Sequence, residues 1–146
     1  MADRATYLLQ SDLALLEAWG FDLDAMFTNM LGGAPYLVGS ALERADYRDV
    51  DVRTIAGDDA YDAFVATGID LSFLHLSVSL WGRKVTGLPI DWQLQRMTEA
   101  NDEFDGRRHP LTRRRLALME ARARLITEQI VEAVRNDDVT RRGVER

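Results

Sequence analysis

The chain has 146 residues, of which 47% are hydrophobic and 29% charged, a composition typical of a globular protein and not of a disordered one. This length allows one domain with a substantial core and is short for two. The sequence shows no long apolar run and no cleavable leader, so we expect no membrane span and a cytoplasmic location. The absence of cysteine excludes disulfides and zinc–thiolate sites.

The formal net charge of −6 is unevenly distributed along the chain. Residues 1–106 carry 7 basic and 18 acidic side chains, a balance of −11, whereas residues 107–124 carry seven arginines and one glutamate, a balance of +6. A body this acidic binds DNA poorly by non-specific attraction. The arginine-rich segment favours local binding of a polyanion, and ion pairing with the acidic body is the alternative explanation.

Hydrophobic periodicity and turn residues predict the element order helix, strand, strand, helix, helix, strand, helix. The first predicted elements are a helix capped by Ser11 and interrupted at Gly20, a strand over 36–38, a strand over 49–55 and a short helix closed by Gly68. They are followed by a largely buried helix capped by Asp70 and ended by Gly82-Arg83-Lys84, a strand over 88–95, and a long helix that starts near Pro110. This order predicts an α+β fold in which a small mixed sheet of about three to four strands packs against helices. We expect one domain over 1–146, with a core over about 35–95 and a C-terminal helix over about 110–135.

Two carboxylates alternate with valines in the second predicted strand. Because successive side chains of a strand point to opposite faces, Asp49, Asp51 and Arg53 share one face. Two aspartates about 6–7 Å apart on one strand face repel each other unless a cation lies between them. Mg²⁺ takes oxygen ligands, usually one or two carboxylates together with substrate phosphates, so this stretch predicts a metal–phosphate site.

A glycine–serine turn lies upstream of this strand, joined to it by a polar connection over 41–48 that suits a loop wrapped around a ligand. The combination of Gly39-Ser40 with Asp49-x-Asp51 resembles the signature of the DNA polymerase β-like nucleotidyltransferase superfamily. A third carboxylate is expected on a later strand of that superfamily, and Asp91 fits. The resemblance covers residues 35–95, and the compactness of the chain is similar to that of small phage-encoded members.

The resemblance implies a role for each of these residues. Asp49 and Asp51 would bridge two Mg²⁺ or Mn²⁺ ions, and Asp91 would complete the site that activates the acceptor hydroxyl. Gly39 would let the backbone approach phosphate oxygens closely, and Ser40 would donate a hydrogen bond to them.

Four arginines are further candidates for nucleotide binding. Arg53 shares the face of the aspartates and either contacts the nucleotide or neutralises the pair, and both interpretations are left open. Arg44 and Arg48 are placed in the loop to reach phosphates, although loop arginines are more often solvated. Arg115 belongs to a cluster over 107–115 that crowds the positive end of the last helix, where a triphosphate or an acceptor RNA would offset the repulsion.

The remaining polar candidates carry less weight. His75 lies within an apolar helix, which is typical of a packed core histidine, and His109 stands beside the arginines. Gln93 shares the face of Asp91 and is placed to support it. No P-loop, GxGxxG or HExxH run occurs, so P-loop NTPase, dinucleotide-binding and metalloprotease functions have no support.

We therefore interpret the chain as a minimal nucleotidyltransferase that moves a nucleoside monophosphate from an NTP such as ATP to a hydroxyl acceptor and releases pyrophosphate. RNA, a protein side chain and a small molecule are all open as acceptors. The main alternative is a catalytically inactive nucleotidyltransferase fold that binds nucleotide or protein, and a third is a nucleic-acid-binding protein that uses the arginine helix. A homodimer through the apolar face of the last helix, or a partner protein, would supply the acceptor-binding domain that so short a chain lacks.

Overall fold

The computed structural model describes the backbone of residues 6–103 and 106–144, and the side chains of the same residues except 113–118 and 137–144. The elements are α1 (Gln10–Leu31), β1 (Ala34–Val38), a 3₁₀ turn (Gly39–Leu42), β2 (Val50–Ala56), α2 (Asp58–Val65), α3 (Leu71–Thr86), β3 (Ile90–Arg96), α4 (Met97–Glu103), β4 (His109–Pro110) and α5 (Arg113–Val144). The predicted α+β class, with a small mixed sheet and a C-terminal helix, is confirmed for this part of the chain.

The chain divides into two compact units, Met1–Arg113 and Arg114–Arg146. The first unit contains the sheet, and the second consists of helix α5 beyond its first residue. Over residues 119–136 every side chain of this helix is exposed, apolar ones such as Met119, Ile126 and Ile130 included. A homodimer or a partner complex through this helix stays a prediction.

The sheet has the strand order β3-β2-β1-β4. Strand β1 is antiparallel to both of its neighbours, β2 and β4, whereas β2 and β3 run parallel. In the parallel pair Asp51 is the register partner of Asp91, and in the antiparallel pair Asp51 faces Val38. This register brings the 3₁₀ turn that follows β1 beside β2, the strand that carries Asp51.

Helices α1 and α3 cover one face of the sheet with a core rich in aromatic side chains. Phe27 stacks on Trp92 with ring centroids 5.0 Å apart, and Trp19 meets Trp81 edge-on at 5.7 Å. The indole N–H of Trp92 donates to Thr54 Oγ1 at 2.9 Å, so the buried ring is satisfied. Burying a side chain of the size of Phe27 stabilises the fold by roughly 1.5–3 kcal/mol. This core fixes the position of the sheet whose other face carries the candidate site.

Side chains of α3 form hydrogen bonds with backbone groups along the outer edge of β3. His75, Ser79 and Arg83 are spaced one helical turn apart and therefore lie along one side of the helix. The bonds join the N–H of Leu94 to His75 Nε2 (3.2 Å), the N–H of Trp92 to Ser79 Oγ (2.9 Å), and Arg83 Nε to the carbonyl of Ile90 (2.9 Å). An edge strand whose polar groups are occupied in this way is protected from pairing with another chain.

The predicted interruption at Gly20 is wrong, because α1 continues past it, and α3 extends beyond the predicted end at Gly82-Arg83-Lys84 to Thr86. Each glycine is a point of close packing. A Cβ at Gly20 would lie 2.6 Å from Leu111 Cβ, and one at Gly82 would lie 2.7 Å from the ring of Trp19. Glycine is needed at these positions for space, and the tertiary contacts outweigh its low helix propensity.

The predicted helix caps are confirmed in one case and wrong in the other. Asp70 Oδ1 accepts the N–H of Phe73 at 3.1 Å and so caps α3 as predicted. Ser11 does not cap α1, which begins one residue earlier without a side-chain cap. The expected burial of α3 is also wrong on its outward side, where Phe73, Leu76 and Leu80 are more than half exposed.

Pro110 does not open the last helix, contrary to the prediction. It lies in β4 as the register partner of Tyr36, and α5 begins at Arg113. The next residue, Leu111, donates its N–H to the carbonyl of Pro35 at 3.1 Å and is completely buried. A two-residue strand such as β4 has no sequence pattern of its own, and its pairing partner alone defines it.

The connection between β1 and β2 is less open than the predicted polar loop. It starts with the 3₁₀ turn, in which Ala41 and Leu42 are buried. The hydroxyl of Thr6 and the N–H of Tyr7 both donate to the carbonyl of Ala41, at 3.2 and 2.8 Å. Residues 43–46 are exposed, so the stretch that could wrap a ligand is shorter than expected.

Among the helices that the structure describes, none combines the length and apolar character that crossing a membrane requires.

Candidate functional site

Two carboxylates from separate strands lie side by side on the sheet face opposite the helical core. Asp51 is the second residue of β2 and Asp91 the second residue of β3. Because they are register partners on parallel strands, their side chains project from the same face. They remain accessible, with side chains 24% and 40% exposed, respectively. This pairing joins two positions that are far apart in the chain.

The guanidinium of Arg53 bridges the two carboxylates. Its Nη2 lies 3.3 Å from Asp51 Oδ1 and 3.2 Å from Asp91 Oδ2. Its Nη1 donates to two main-chain carbonyls, that of Asp91 at 2.7 Å and that of Val52 at 3.1 Å. The Arg53 side chain is only 6% exposed. Of the two interpretations left open by the sequence, the neutralising contact is therefore present, and a nucleotide contact stays a prediction.

The pKa of Asp51 is raised above its ordinary value of 3.8. The largest cause is partial burial, which removes water from the charged form. The neighbouring charge of Arg53 opposes this effect and lowers the pKa, whereas the charges of Asp91 and Asp49 raise it further. Burial, the two neighbouring carboxylates and a side-chain hydrogen bond with Asp91 together outweigh the effect of Arg53 on this pKa.

The turn after β1 packs directly against Asp51. Gly39 has a φ of 76°, and a Cβ at this position would lie 2.5 Å from Asp51 Oδ2. Side chains other than hydrogen are disfavoured at this φ, and the carboxylate leaves no room for one. The carbonyl of Ser40 accepts the N–H groups of Glu43 and Arg44 at 3.0 and 2.9 Å. Within the described part of the chain the Ser40 hydroxyl makes no hydrogen bond.

Asp49 is exposed and lies immediately before β2. Its charge acts on Asp51, which shows that the two carboxylates are near each other electrostatically. Among the described residues, no group of three His, Cys, Asp or Glu side chains has the arrangement expected of a metal site. The structure thus brings Asp51 and Asp91 together, and a role for Asp49 as a further ligand stays a prediction.

The Asp51–Asp91 pair is nevertheless a donor set that Mg²⁺ uses, because this ion is commonly held by one or two carboxylates together with substrate phosphates. Arg53 takes one oxygen of each carboxylate. The guanidinium does not contact the second oxygen of each, Oδ2 of Asp51 and Oδ1 of Asp91, and the two carboxyl groups also share a side-chain hydrogen bond that helps to raise the pKa of Asp51. These two oxygens fit a divalent cation.

The other predicted nucleotide-binding arginines are less closely tied to the pair. Arg44 is exposed and forms an ion pair with Asp46 at 3.5 Å. Arg48 is also exposed. The side chain of Arg115 lies outside the described residues. In the same cluster, Arg108 donates to the carbonyl of Ala100 at 2.8 Å, so it has a structural partner.

Two further residues lie near the pair. Gln93 Nε2 is 3.5 Å from Asp91 Oδ2, in line with the supporting position predicted for it. Tyr36 is the register partner of Arg53 and so shares the face of the site, partly exposed. Sequence reasoning missed Tyr36, because only the pairing of β1 with β2 reveals this neighbour.

His75 is half-buried and stacks edge-on against Trp92, as expected for a packed histidine. Burial lowers its pKa below the ordinary 6.5, and the charge of Arg53 lowers it further. A neutral imidazole is what its contact requires, because Nε2 accepts the N–H of Leu94. The charge of Arg53, which belongs to the candidate site, therefore acts on the pKa of His75, which packs against Trp92.

Comparison of the chain with protein-family models, with curated proteins and with solved structures found no match.

Proposed function

We propose that the chain is a divalent-metal-dependent nucleotidyltransferase that transfers a nucleoside monophosphate from an NTP to a hydroxyl acceptor with release of pyrophosphate. One observation carries the proposal: Asp51 and Asp91, from separate strands, are register partners, and Asp51 packs against the glycine turn at Gly39. Adjacent carboxylates suit a divalent cation that also takes phosphate oxygens as ligands.

Nucleotidyl transfer requires the protein mainly to position the reactants and to neutralise negative charge. Attack on the α-phosphorus of an NTP requires charge neutralisation and in-line alignment. Bound at Asp51 and Asp91, Mg²⁺ or Mn²⁺ would supply the neutralising charge and lower the pKa of the attacking hydroxyl. Ser40 would donate a hydrogen bond to a phosphate oxygen, and Asp49 is the candidate for an additional ligand.

The test is pyrophosphate release measured with Mg²⁺, each of the common NTPs and a panel of hydroxyl acceptors. Asp51→Asn and Asp91→Asn should each lower the rate at least about a hundredfold, since a bound metal contributes several kcal/mol of transition-state stabilisation. Asp59→Asn is the matched control, because Asp59 is an exposed aspartate in the first turn of α2. Equal rates for wild type, Asp51→Asn and Asp59→Asn would contradict the proposal.

A second candidate function is a nucleotide-binding or protein-interaction module without catalysis. The observation that favours it is the Arg53 bridge, since a resident cation already pairs with both carboxylates. Calorimetric titration with NTP separates the two candidates. Tight NTP binding without pyrophosphate release on any acceptor supports the module, and metal-dependent turnover supports the enzyme.

A further inference from the structure

Arg53 is held in a way that is unusual for a side chain at a ligand site. The residue is buried, and its two terminal nitrogens together have four acceptors, two of them main-chain carbonyls. Its Nε is buried and has no hydrogen-bond partner among the described residues. The two carbonyl bonds anchor the guanidinium to β2 and β3, so it cannot leave its place between the carboxylates without breaking them.

We propose that Arg53 is a resident counter-cation that keeps Asp51 and Asp91 aligned when no metal is bound and competes with the divalent cation for them. This inference rests on the proposed function in one respect, namely that the cation site is the Asp51–Asp91 pair. The chain then weakens its own metal affinity. An NTP, which adds phosphate oxygens as ligands, would be needed for tight binding.

The physical reason is the distance between the charges. A cation bound to both carboxylates would lie within a few ångströms of the guanidinium, where two positive charges repel strongly in a partly buried site. Arg53 also uses one oxygen of each carboxylate, which leaves a single oxygen per side chain for the metal. Removing the positive charge should therefore tighten metal binding, by roughly tenfold or more.

A purely structural role for Arg53 predicts a different result. In that case loss of the guanidinium would destabilise the sheet without raising the affinity for metal. The two roles are separated by a direct measurement of cation binding in the absence of nucleotide, which does not depend on turnover.

The experiment is a titration with Mn²⁺ followed by the electron paramagnetic resonance signal of the free ion. Wild type, Arg53→Gln, Arg53→Lys and Lys84→Gln are compared. Lys84 is an exposed lysine of α3, so its substitution removes the same charge away from the pair. We expect tighter Mn²⁺ binding for Arg53→Gln alone, with Arg53→Lys and Lys84→Gln close to wild type.

Equal Mn²⁺ affinity of wild type and Arg53→Gln, or no binding by either, would overturn the inference. If Arg53→Gln does not fold, the N–H resonance of Arg53 Nε in the wild type gives the answer. Saturating Mg²⁺ should shift that resonance if the cation enters beside the guanidinium, and an unchanged resonance overturns the inference.

The outcome is independent of catalysis. Tighter Mn²⁺ binding by Arg53→Gln without pyrophosphate release from the wild type would leave the counter-cation role standing and reject the nucleotidyltransferase. Pyrophosphate release with unchanged Mn²⁺ affinity would do the reverse.

Discussion

The backbone of Gly39 lies against the carboxylate of Asp51 so closely that a methyl group at position 39 would sit 2.5 Å from Oδ2. The glycine therefore defines one wall of the candidate site, and the carboxylate is held between it and Arg53. Gly39 and Arg53 thus limit the positions that the Asp51 side chain can take. Several consequences of this and related contacts can be measured.

Gly39→Ala should destabilise the protein by roughly 2 kcal/mol or more, because alanine is strained at a φ of 76° and its methyl group would collide with Asp51. Urea denaturation measures the change. Gly57→Ala is the control, since Gly57 has an ordinary φ of −56° and open space around it. Comparable losses in both variants would show that the contact with Asp51 is not the cause.

Ser79→Ala should cost about 1–3 kcal/mol, because the hydroxyl of Ser79 is the acceptor for the buried N–H of Trp92 at 2.9 Å. The loss is measured from the free energy of unfolding. Ser72→Ala on the same helix is the control, because Ser72 is exposed and should change stability by no more than about 0.5 kcal/mol. A Ser79→Ala protein as stable as the control would refute the role given to the edge contacts.

Gly82→Ala should destabilise the fold by about 1–3 kcal/mol despite the better helix propensity of alanine, because the new methyl group would meet the Trp19 ring at 2.7 Å. Thermal melting with tryptophan fluorescence reports both the stability and the environment of Trp19. Gly106→Ala, at an exposed position with no atom within 4 Å, serves as the comparison. A stabilised Gly82→Ala would mean that helix propensity outweighs packing here.

His75 should make the protein less stable on acidification. Its folded pKa lies below the ordinary 6.5, chiefly through burial, so the unfolded chain binds the proton more readily. The stabilising contribution is complete above pH 6.5 and is lost as the pH falls from there toward the lowered folded value. Melting temperatures of wild type should therefore fall more steeply below pH 6.5 than those of His75→Gln. Parallel curves for the two proteins would contradict this role.

The local features of the chain could be read from the sequence because they depend on neighbouring residues. The alternation of Asp51 and Arg53 with apolar residues places them on one face of a strand, and Asp70 caps the helix that follows it. The strand, helix and turn order that defines an α+β fold follows from such signals. The occurrence of Asp49 and Asp51 a few residues after the Gly39-Ser40 turn is also a local feature that the sequence shows directly.

The long-range features were decided by tertiary structure. Gly20 and Gly82 look like helix ends in the sequence, and only the packing of Leu111 and Trp19 against them explains why the helices continue. The short strand at Pro110 exists because β1 offers it a partner. Propensity is a weak local preference, and contacts between distant segments override it.

The sequence by itself determined which side chains could make a charged site: Asp51, Asp91 and Arg53 are all placed on strands by local pattern. Only the parallel register of β2 and β3 decided that Asp51 and Asp91 are neighbours, with Arg53 between them. The physical reason is that strand pairing is fixed by the core on the opposite face. A shift of one residue would turn every one of these side chains inward.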